Sequence, residues 1–510
     1  MGDGGDICKG SDAPIDPAFE RHLHVVSLRP KNPHADERGI SGISQKPRPL
    51  SLLVADQAAK IGVRTGGQGM SKLQRGGDTA ALLTGLGLGI TLAIEAITLN
   101  SEQLQSVNGV VTILSRICAL AGTYLVLVGL LLVARIPFVE RSVGHDRMVT
   151  WHRKLGPWSL YLILGHFVLV TIGYSGNDGI PLYREFWNLI TTYPWMLPAF
   201  AAFILMMMAG VTSYKRARKK MSYETWWIIH LYTYIAVALA FMHQILTGIM
   251  FIQHPLAKYY WIGLYVFVGT SMFWWRLVIP IYRSIRHQLV VERVVVEGPG
   301  IVSIHIKGRN IDKMGAQGGH FFGWRFLTRK EWWQSHPYSL SAAPHPKLLR
   351  ITVKNLGDHS GSLTEMKPGT RVLAEGPYGI FTADRASGKK ILLVGGGVGI
   401  TPLRALMEEF PTGSDIDVIY RASSEEDLVL KEELNTLAKL RNARIHYMAG
   451  SRDRFPLTPA HIASLVPHIS QCDVFVCGPD ALVHRVRHSV EALGVPSSKF
   501  HDEAFAYHAS

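Results

Sequence analysis

Four histidines offer the first chemistry in this chain of 510 residues. His152 and His166 lie in one apolar stretch, residues 149–172, and His230 and His243 in another, residues 226–251. Their separations are 14 and 13 residues. Uncharged imidazole is a common metal ligand and a frequent axial ligand of haem iron. At a helical rise of 1.5 Å per residue, the two ligands of one segment stand roughly 20 Å apart. Two such helices would hold two stacked b-type haems, one near each face of a hydrocarbon core about 30 Å thick. A single intramembrane histidine often serves helix packing. Four of them, confined to two segments at nearly matched spacing, point to paired ligation, because imidazole in hydrocarbon is costly and marks function. The 13-residue interval misses its starting helix face by roughly 140°. Either that helix carries a π- or 3₁₀-type distortion, or the two haems are rotated relative to each other.

The elements that must position these ligands are membrane spans. Six apolar runs have the length: residues 79–99, 117–134, 149–172, 195–211, 226–251 and 259–280. No other histidine falls inside them. Basic residues gather in alternate connections: Arg135, Arg141, Arg147, Arg153 and Lys154; then Lys215, Arg216, Arg218, Lys219 and Lys220; then Arg276, Arg283 and Arg286. The intervening loops hold mainly Arg184 and Lys258. The positive-inside rule therefore places both termini in the cytoplasm of a cell membrane crossed six times. The third and fifth spans then run in the same direction. His152 pairs with His230 on the inner side and His166 with His243 on the outer side.

Composition agrees with a chain half in lipid and half in water. Mean hydropathy is +0.14 and 47% of residues are hydrophobic, concentrated before residue 287. The net charge of +14 sits largely beside the spans, so it reports topology and calls for no nucleic acid. Cys8, Cys118, Cys472 and Cys477 form no CxxC or zinc spacing. Residues 1–75 are rich in Gly, Pro and Ser without an apolar period and read as a disordered tail, with Met70 a second candidate start. No segment asks for an obligate protein partner beyond membrane lipid.

After the spans the pattern changes. Residues 287–387 alternate in the manner of short β-branched strands punctuated by Pro and Gly, the mark of a small antiparallel β-barrel. Residues 388–510 alternate strand and helix, a doubly wound parallel α/β domain. The expected architecture is thus a six-helix transmembrane bundle over residues 76–286, then the barrel, then the α/β domain. The strand at 391–394 runs directly into Gly395-Gly396-Gly397-Val398-Gly399-Ile400-Thr401-Pro402. Glycines here let a pyrophosphate approach the backbone at a helix N-terminus. The barrel carries His336-Pro337-Tyr338-Ser339-Leu340-Ser341 and Glu375-Gly376-Pro377-Tyr378-Gly379, and the α/β domain ends with Cys477-Gly478-Pro479 and Glu503-Ala504-Phe505.

In this order the motifs resemble the ferredoxin–NADP reductase type of flavoprotein. Placed after six spans with paired histidines, they resemble the ferric reductase and NADPH oxidase superfamily over residues 76–510. The resemblance implies FAD on the barrel and NAD(P)H on the α/β domain. Tyr338 and Ser339 would contact the flavin within the site shaped by His336, Pro337, Leu340 and Ser341. Many soluble relatives have Arg where His336 stands, and membrane oxidases commonly have His. Gly361, Ser362 and Leu363 would receive the FAD pyrophosphate. Gly395, Gly396, Gly397, Gly399, Thr401 and Pro402 would hold the dinucleotide, with Cys477, Gly478 and Pro479 beside the nicotinamide. Glu503 and Phe505 match a terminal pattern in which the aromatic covers the flavin, although five residues follow Phe505 here. The reactive group is then Phe505, Cys477 and Glu503. Arg421, Ser451 and Arg452 follow later strands where the family binds the 2′-phosphate, which favours NADPH over NADH.

The implied activity moves electrons from NADPH through FAD and two haems to a small acceptor outside, dioxygen or a ferric chelate. The outer loops, 100–116, 173–194 and 253–258, are short and form no basic funnel, which favours dioxygen. Arg116 or Arg184 would be the cation near the outer haem. A haem-binding sensor and a nucleotide-regulated transporter are the alternatives of another class. Bound haem, bound flavin and haem reduction by NADPH separate the three.

Overall fold

Among the described residues, six helices are long and apolar enough to cross a membrane. The computed structural model describes residues 69–505 apart from 219, 330, 356 and 357. The helices are α1 (Gly69–Ala96), α2 (Val107–Val133), α3 (His145–Asp178), α4 (Met196–Ser213), α5 (Tyr223–Thr247) and α6 (Pro255–Phe273). The last continues through a π turn, Trp274–Val278, into Ile279–His287. Backbone groups in hydrocarbon have no water to bond, so each span satisfies its own ladder. Outward-facing Leu82, Leu86, Leu114, Trp158, Tyr161, Leu197 and Val266 suit lipid. The caps are polar: Ser106 Oγ accepts from Gly109 N–H at 2.9 Å, and Ser222 Oγ from Thr225 N–H at 3.2 Å.

α2 packs along α3, and α4 along α5. The histidine-bearing helices α3 and α5 make at most glancing contact with each other. The two pairs meet mainly where Leu160 and Ile163 of α3 pack on Ala202 and Met206 of α4 and Ala236 of α5. Small residues allow the close pairing: a Cβ on Gly122 of α2 would stand 3.1 Å from Leu162 and Ile163 of α3.

Three expectations change. The second span was expected from residue 117, but α2 starts at Val107. Arg116 is thus inside the bundle, where its Nη1 lies 3.5 Å from Oε1 of Glu95. Pairing with an acid lets a basic residue extend a span. Residues 173–194 were expected as a loop, but α3 reaches Asp178 and Leu182–Thr192 forms a helix that buries Glu185, Leu189 and Ile190. The helical distortion allowed for the fifth span is not there: α5 is α-helical throughout, and the π turn lies in α6.

Six strands follow: β1 (Val290–Gly298), β2 (Ile301–Lys307), β3 (Phe321–Phe326), β4 (His336–Ser339), β5 (Leu348–Lys354) and β6 (Val372–Tyr378). They form antiparallel sheets ordered β1-β2-β5 and β4-β3-β6. Single bridges, Val290–Arg371 and Leu340–Ile351, join the sheets along both margins, which closes the strand order into a ring. Phe322, Trp324, Phe326, Ile304 and Ile351 fill it.

The last region contains β7 (Lys390–Gly396), α7 (Ile400–Glu409), β8 (Asp415–Ala422), α8 (Lys431–Arg441), β9 (Arg444–Ala449), β10 (Asp473–Pro479), α9 (Asp480–Ala492) and β11 (Phe500–Phe505). The sheet is parallel, ordered β11-β10-β7-β8-β9. Ile391 to Val394 are buried on both faces, as central parallel strands are. The winding reverses between β7 and β10, and α/β sheets bind ligands at that switch point, beyond the carboxyl ends of the strands. An ionic joint ties barrel to sheet. Arg350 on β5 donates to both carboxylate oxygens of Glu433 on α8 at 2.8 and 2.9 Å, and Arg404 Nε on α7 lies 2.6 Å from the same group.

Candidate functional site

Three of the four histidines are held from behind. His152 Nδ1 lies 3.0 Å from the Gly129 carbonyl, and His166 Nδ1 lies 2.9 Å from Ser115 Oγ. His230 stacks on Trp226 with centroids 5.2 Å apart, and its Nδ1 is 3.5 Å from Ser213 Oγ. That hydroxyl accepts from Trp226 Nε1 at 3.1 Å. Engaging Nδ1 as a donor leaves the Nε2 lone pair for a metal. Nδ1 of His243 is buried and makes no hydrogen bond of ordinary geometry. Ser115 and Gly129 are 14 residues apart, the interval of His152 and His166, which an antiparallel neighbour of α3 requires. That matched interval was a readable signal, and the sequence analysis passed over it.

The His152 ring on α3 and the His230 ring on α5 have centroids 6.1 Å apart and planes at 81°. Metal–imidazole bonds are about 2.0–2.1 Å long. Two imidazoles on one ion, one from each side, therefore stand with centroids a little over about 6 Å apart. The spacing fits a shared metal centre. His166 and His243 also lie close enough to interact electrostatically.

Below His152 and His230 the barrel meets the bundle. Glu375 on β6 accepts from Arg276 Nη1 at 2.6 Å, and Arg135 Nη1 lies 3.5 Å from its other oxygen. Arg276 belongs to the π turn of α6, a type of distortion frequent at functional sites. The Arg135 guanidinium lies 4.4 Å from the centroid of the Tyr378 ring, and His145, first residue of α3, packs on Phe321 and Tyr378. Gly323 on β3 lies beside this joint: a Cβ there would make ordinary contact, at 3.7 Å, with both Arg135 and Glu375 and would crowd Ser335 Oγ at 2.9 Å. The sequence analysis quoted Glu375 in its motif and gave it no role.

The residues expected around a flavin divide into two groups. His336, Pro337, Tyr338 and Ser339 are β4, whose Tyr338 carbonyl accepts from Trp324 Nε1 at 2.9 Å. Burial pushes the Tyr338 hydroxyl well above its ordinary pKa, with Glu331 adding to the shift, so it stays a neutral donor. Gly361 and Ser362 close a short helical turn, and the Ser362 hydroxyl bonds Glu331. Leu340, Ser341 and Leu363 point elsewhere. Leu340 and Leu363 are fully buried in the barrel core, and Ser341 is committed to Arg350, which donates to its Oγ at 3.1 Å and its carbonyl at 2.6 Å.

At the switch point two glycine-containing turns press together. A Cβ on Gly399 would stand 2.7 Å from the Cys477 carbonyl carbon and 3.0 Å from Gly478 Cα. One on Gly396 would stand 3.1 Å from Pro479 Cδ. Gly397 has φ +55°, which favours glycine. The backbone between β7 and α7 is thus bare, as an approaching pyrophosphate needs. Thr401 and Pro402 are buried in the first turn of α7, and Thr401 Oγ1 donates to Val398 O at 2.9 Å. Strand register sets Gly395, Cys477 and Glu503 in one row, with Phe505 opposite Pro479 at the end of β11. Burial drives the Cys477 thiol well above its usual pKa, reinforced by Glu503 and Asp502. It is a neutral wall, not a thiolate.

Arg421 ends β8, opposite Gly396. Its Nη1 donates to the carbonyls of Ala422 and Met448, both at 2.9 Å. Burial, and then the charge of Arg452, lower the pKa of Arg421, and Ser451 Oγ accepts from Arg454 N–H at 3.2 Å. Arg421 and Arg454 both lie near the Phe455 ring, at 5.6 and 5.2 Å from its centroid. Arg454 and Phe455 are members of this group that sequence reasoning missed.

A six-span bundle with paired histidines, a flavin-type barrel and a nicotinamide-type sheet together define a membrane flavoprotein architecture. Family models agree with each part: the ferric reductase like transmembrane component matches residues 118–241, the FAD-binding domain residues 288–382 and the oxidoreductase NAD-binding domain residues 393–488. The chain belongs to the ferric reductase and NADPH oxidase superfamily. Ferredoxin–NADP reductase B of Sorangium cellulosum is 31% identical over 188 residues, covering 33% of this chain and 77% of that protein. The glycine betaine monooxygenase reductase subunit of Pseudomonas aeruginosa is 29% identical over 186 residues, 33% of this chain. The match spans 50% of that relative's length. A solved FAD/NAD-binding domain of nitric oxide dioxygenase from Vibrio cholerae O1 biovar El Tor is 21% identical, covering 43% of this chain and 98% of that one, with a TM-score of 0.37.

Proposed function

We propose that this chain is a transmembrane NADPH oxidoreductase that moves electrons through FAD and two b-type haems to dioxygen outside the cell, both termini lying in the cytoplasm. The observation that carries the reading is the pair His152 and His230, with ring centroids 6.1 Å apart on two helices that make little direct contact with each other. The Gly395–Gly399 turn and the Cys477–Pro479 segment receive the dinucleotide, and Arg421, Arg452 and Arg454 favour its 2′-phosphate. His336 to Ser339, with Gly361 and Ser362, hold the flavin. His152 with His230, and His166 with His243, hold the haems. When bound, flavin converts a hydride into single electrons and haem iron carries them one at a time. The protein supplies position and a dry path: Glu375 fastens the barrel to the bundle, and neutral Cys477 and Tyr338 keep ionised groups away from the exchanging rings.

The outer side supports a small acceptor. The helix Leu182–Thr192 is amphipathic, and its Phe186 packs on Phe167, next to His166. Arg116 is paired with Glu95, which weakens its pull on a bulky anionic chelate. Ferric-chelate reduction is the second reading, favoured by the family of the matched transmembrane component. NADPH turnover in sealed vesicles separates them. Superoxide-dismutase-sensitive cytochrome c reduction outside is expected. Its absence, with brisk anaerobic reduction of a membrane-impermeant ferric chelate, overturns the oxidase reading in favour of the reductase.

A further inference from the structure

The barrel reaches the bundle a second time, through a loop whose partners are the segments expected to hold flavin. Within residues 331–335, Glu331 bonds the Ser362 hydroxyl, Gln334 N–H donates to the Glu331 carbonyl at 3.0 Å, and the Gln334 side chain lies 3.4 Å from His336 Nε2. Glu331 N–H is itself held by Thr328 Oγ1 at 3.1 Å. The loop is therefore fastened to both margins of the flavin region. From it Trp333 extends to Trp227 on α5, with ring centroids 6.4 Å apart and planes tilted by 40°. Trp227 precedes His230 by three residues, so the two share a helix face. Its neighbour Trp226 stacks on the His230 ring, and the Arg218 guanidinium lies 4.7 Å from the centroid of Trp226. The loop tied to Ser362 and His336 thus reaches, through Trp333 and Trp227, the turn of α5 that carries His230.

We propose that Trp333 and Trp227 form a positioning contact that registers the flavin-binding barrel on the inner-haem helix α5 and sets the rate of electron transfer between them. The inference rests on the function proposed above. The step is a one-electron transfer: one ferric iron becomes ferrous for each electron lost by reduced flavin, which NADPH resupplies in pairs. Two broad aromatic faces suit this task, because they bury large area with few rotatable bonds. The Glu375 clamp fixes the barrel at β6, and the tryptophan pair fixes it at the loop before β4. Two separated points define an orientation where one leaves a pivot.

The test uses the intact protein in detergent and has two arms. In stopped flow without oxygen, Trp333→Ala slows haem reduction by NADPH roughly 10- to 100-fold, the cost of misplacing reactants by about 1 Å. NADPH-driven reduction of a soluble dye at the flavin stays at the wild-type rate, and Trp333→Phe restores haem reduction. In hydrogen–deuterium exchange, the amides of residues 331–335 lose protection in Trp227→Ala and keep it in Trp227→Phe. Wild-type haem reduction in Trp333→Ala, or unchanged protection in Trp227→Ala, overturns the proposal. A purified chain without haem overturns the functional reading instead, and the exchange arm still decides whether the contact exists.

Discussion

Gly399→Ala isolates the dinucleotide seat. Gly399 has φ −63° and ψ −9°, a conformation alanine adopts freely, so the substitution adds a methyl group and no backbone strain. That methyl would stand 2.7 Å from the Cys477 carbonyl carbon, where ordinary contact begins at 3.4 Å, and its carbonyl oxygen is closer still. Neither side can turn away, because both are backbone. Cys477 is pinned by register to Gly395 on one side and Glu503 on the other. The turn between β7 and α7 must therefore retreat by close to 1 Å. A misplacement of about 1 Å costs rate by roughly 100-fold, about 2.7 kcal/mol of transition-state stabilisation. The assay is kcat/KM for NADPH with a soluble dye that takes electrons at the flavin. Haem content, FAD content and haem reduction by dithionite should match wild type, since those sites lie elsewhere. Gly89→Ala, whose Cβ would meet nothing within 4 Å, is the control. If Gly399→Ala kept the wild-type kcat/KM with normal FAD content, the glycine turn would not be the seat of NADPH.

Further outcomes follow from the other contacts. Ala at His152 or His230 should remove the inner haem, and Ala at His166 or His243 the outer one; full haem content in all four variants contradicts the ligand assignment. Glu375→Gln strands Arg135 and Arg276 at a partly exposed joint, a loss of about 1 kcal/mol of docking energy. Haem reduction should slow while dye reduction persists, and equal slowing of both would place Glu375 in hydride transfer instead. Ala at Arg421, Arg452 and Arg454 together should lower the NADPH/NADH ratio of kcat/KM, and an unchanged ratio puts the phosphate site elsewhere. Burial, with Arg293 and Arg350 adding and Glu433 opposing, lowers the pKa of His305 to about 4. Between the ordinary value of 6.5 and about 4 the folded state binds fewer protons than the unfolded one. This stability is therefore present above about pH 6.5 and lost as pH falls, up to roughly 3 kcal/mol. His305→Gln should flatten the fall in Tm across that window; an equally steep fall refutes the assignment.

Much of the architecture was legible because lipid and sheet impose simple periods. Six long apolar runs admit little but helices, and a strand ending in Gly395-Gly396-Gly397 admits little but a tight turn. The span ends were less legible where polar residues find partners across helices. Arg116 looked like a loop residue until Glu95 appeared beside it, and Ser115 looked incidental until it met His166. In the site, motifs identified the strands but not which side chains face outward. Leu340, Ser341 and Leu363 lie in the same motifs as their neighbours, yet Leu340 and Leu363 fill the barrel core and Arg350 engages Ser341. The joints could not be read at all: Glu375 with Arg276, and Trp333 with Trp227, are separated by about a hundred residues and carry no local signature.

The most direct test of the central claim is the absorbance spectrum of the purified protein, reconstituted with FAD and mixed with NADPH in the absence of oxygen. The account predicts a b-type Soret band that shifts to its reduced form on mixing, with flavin bleached in the same reaction and the band partly lost in His152→Ala. A chain that bleaches flavin but contains no haem, or whose haem stays oxidised while flavin is fully reduced, would contradict it.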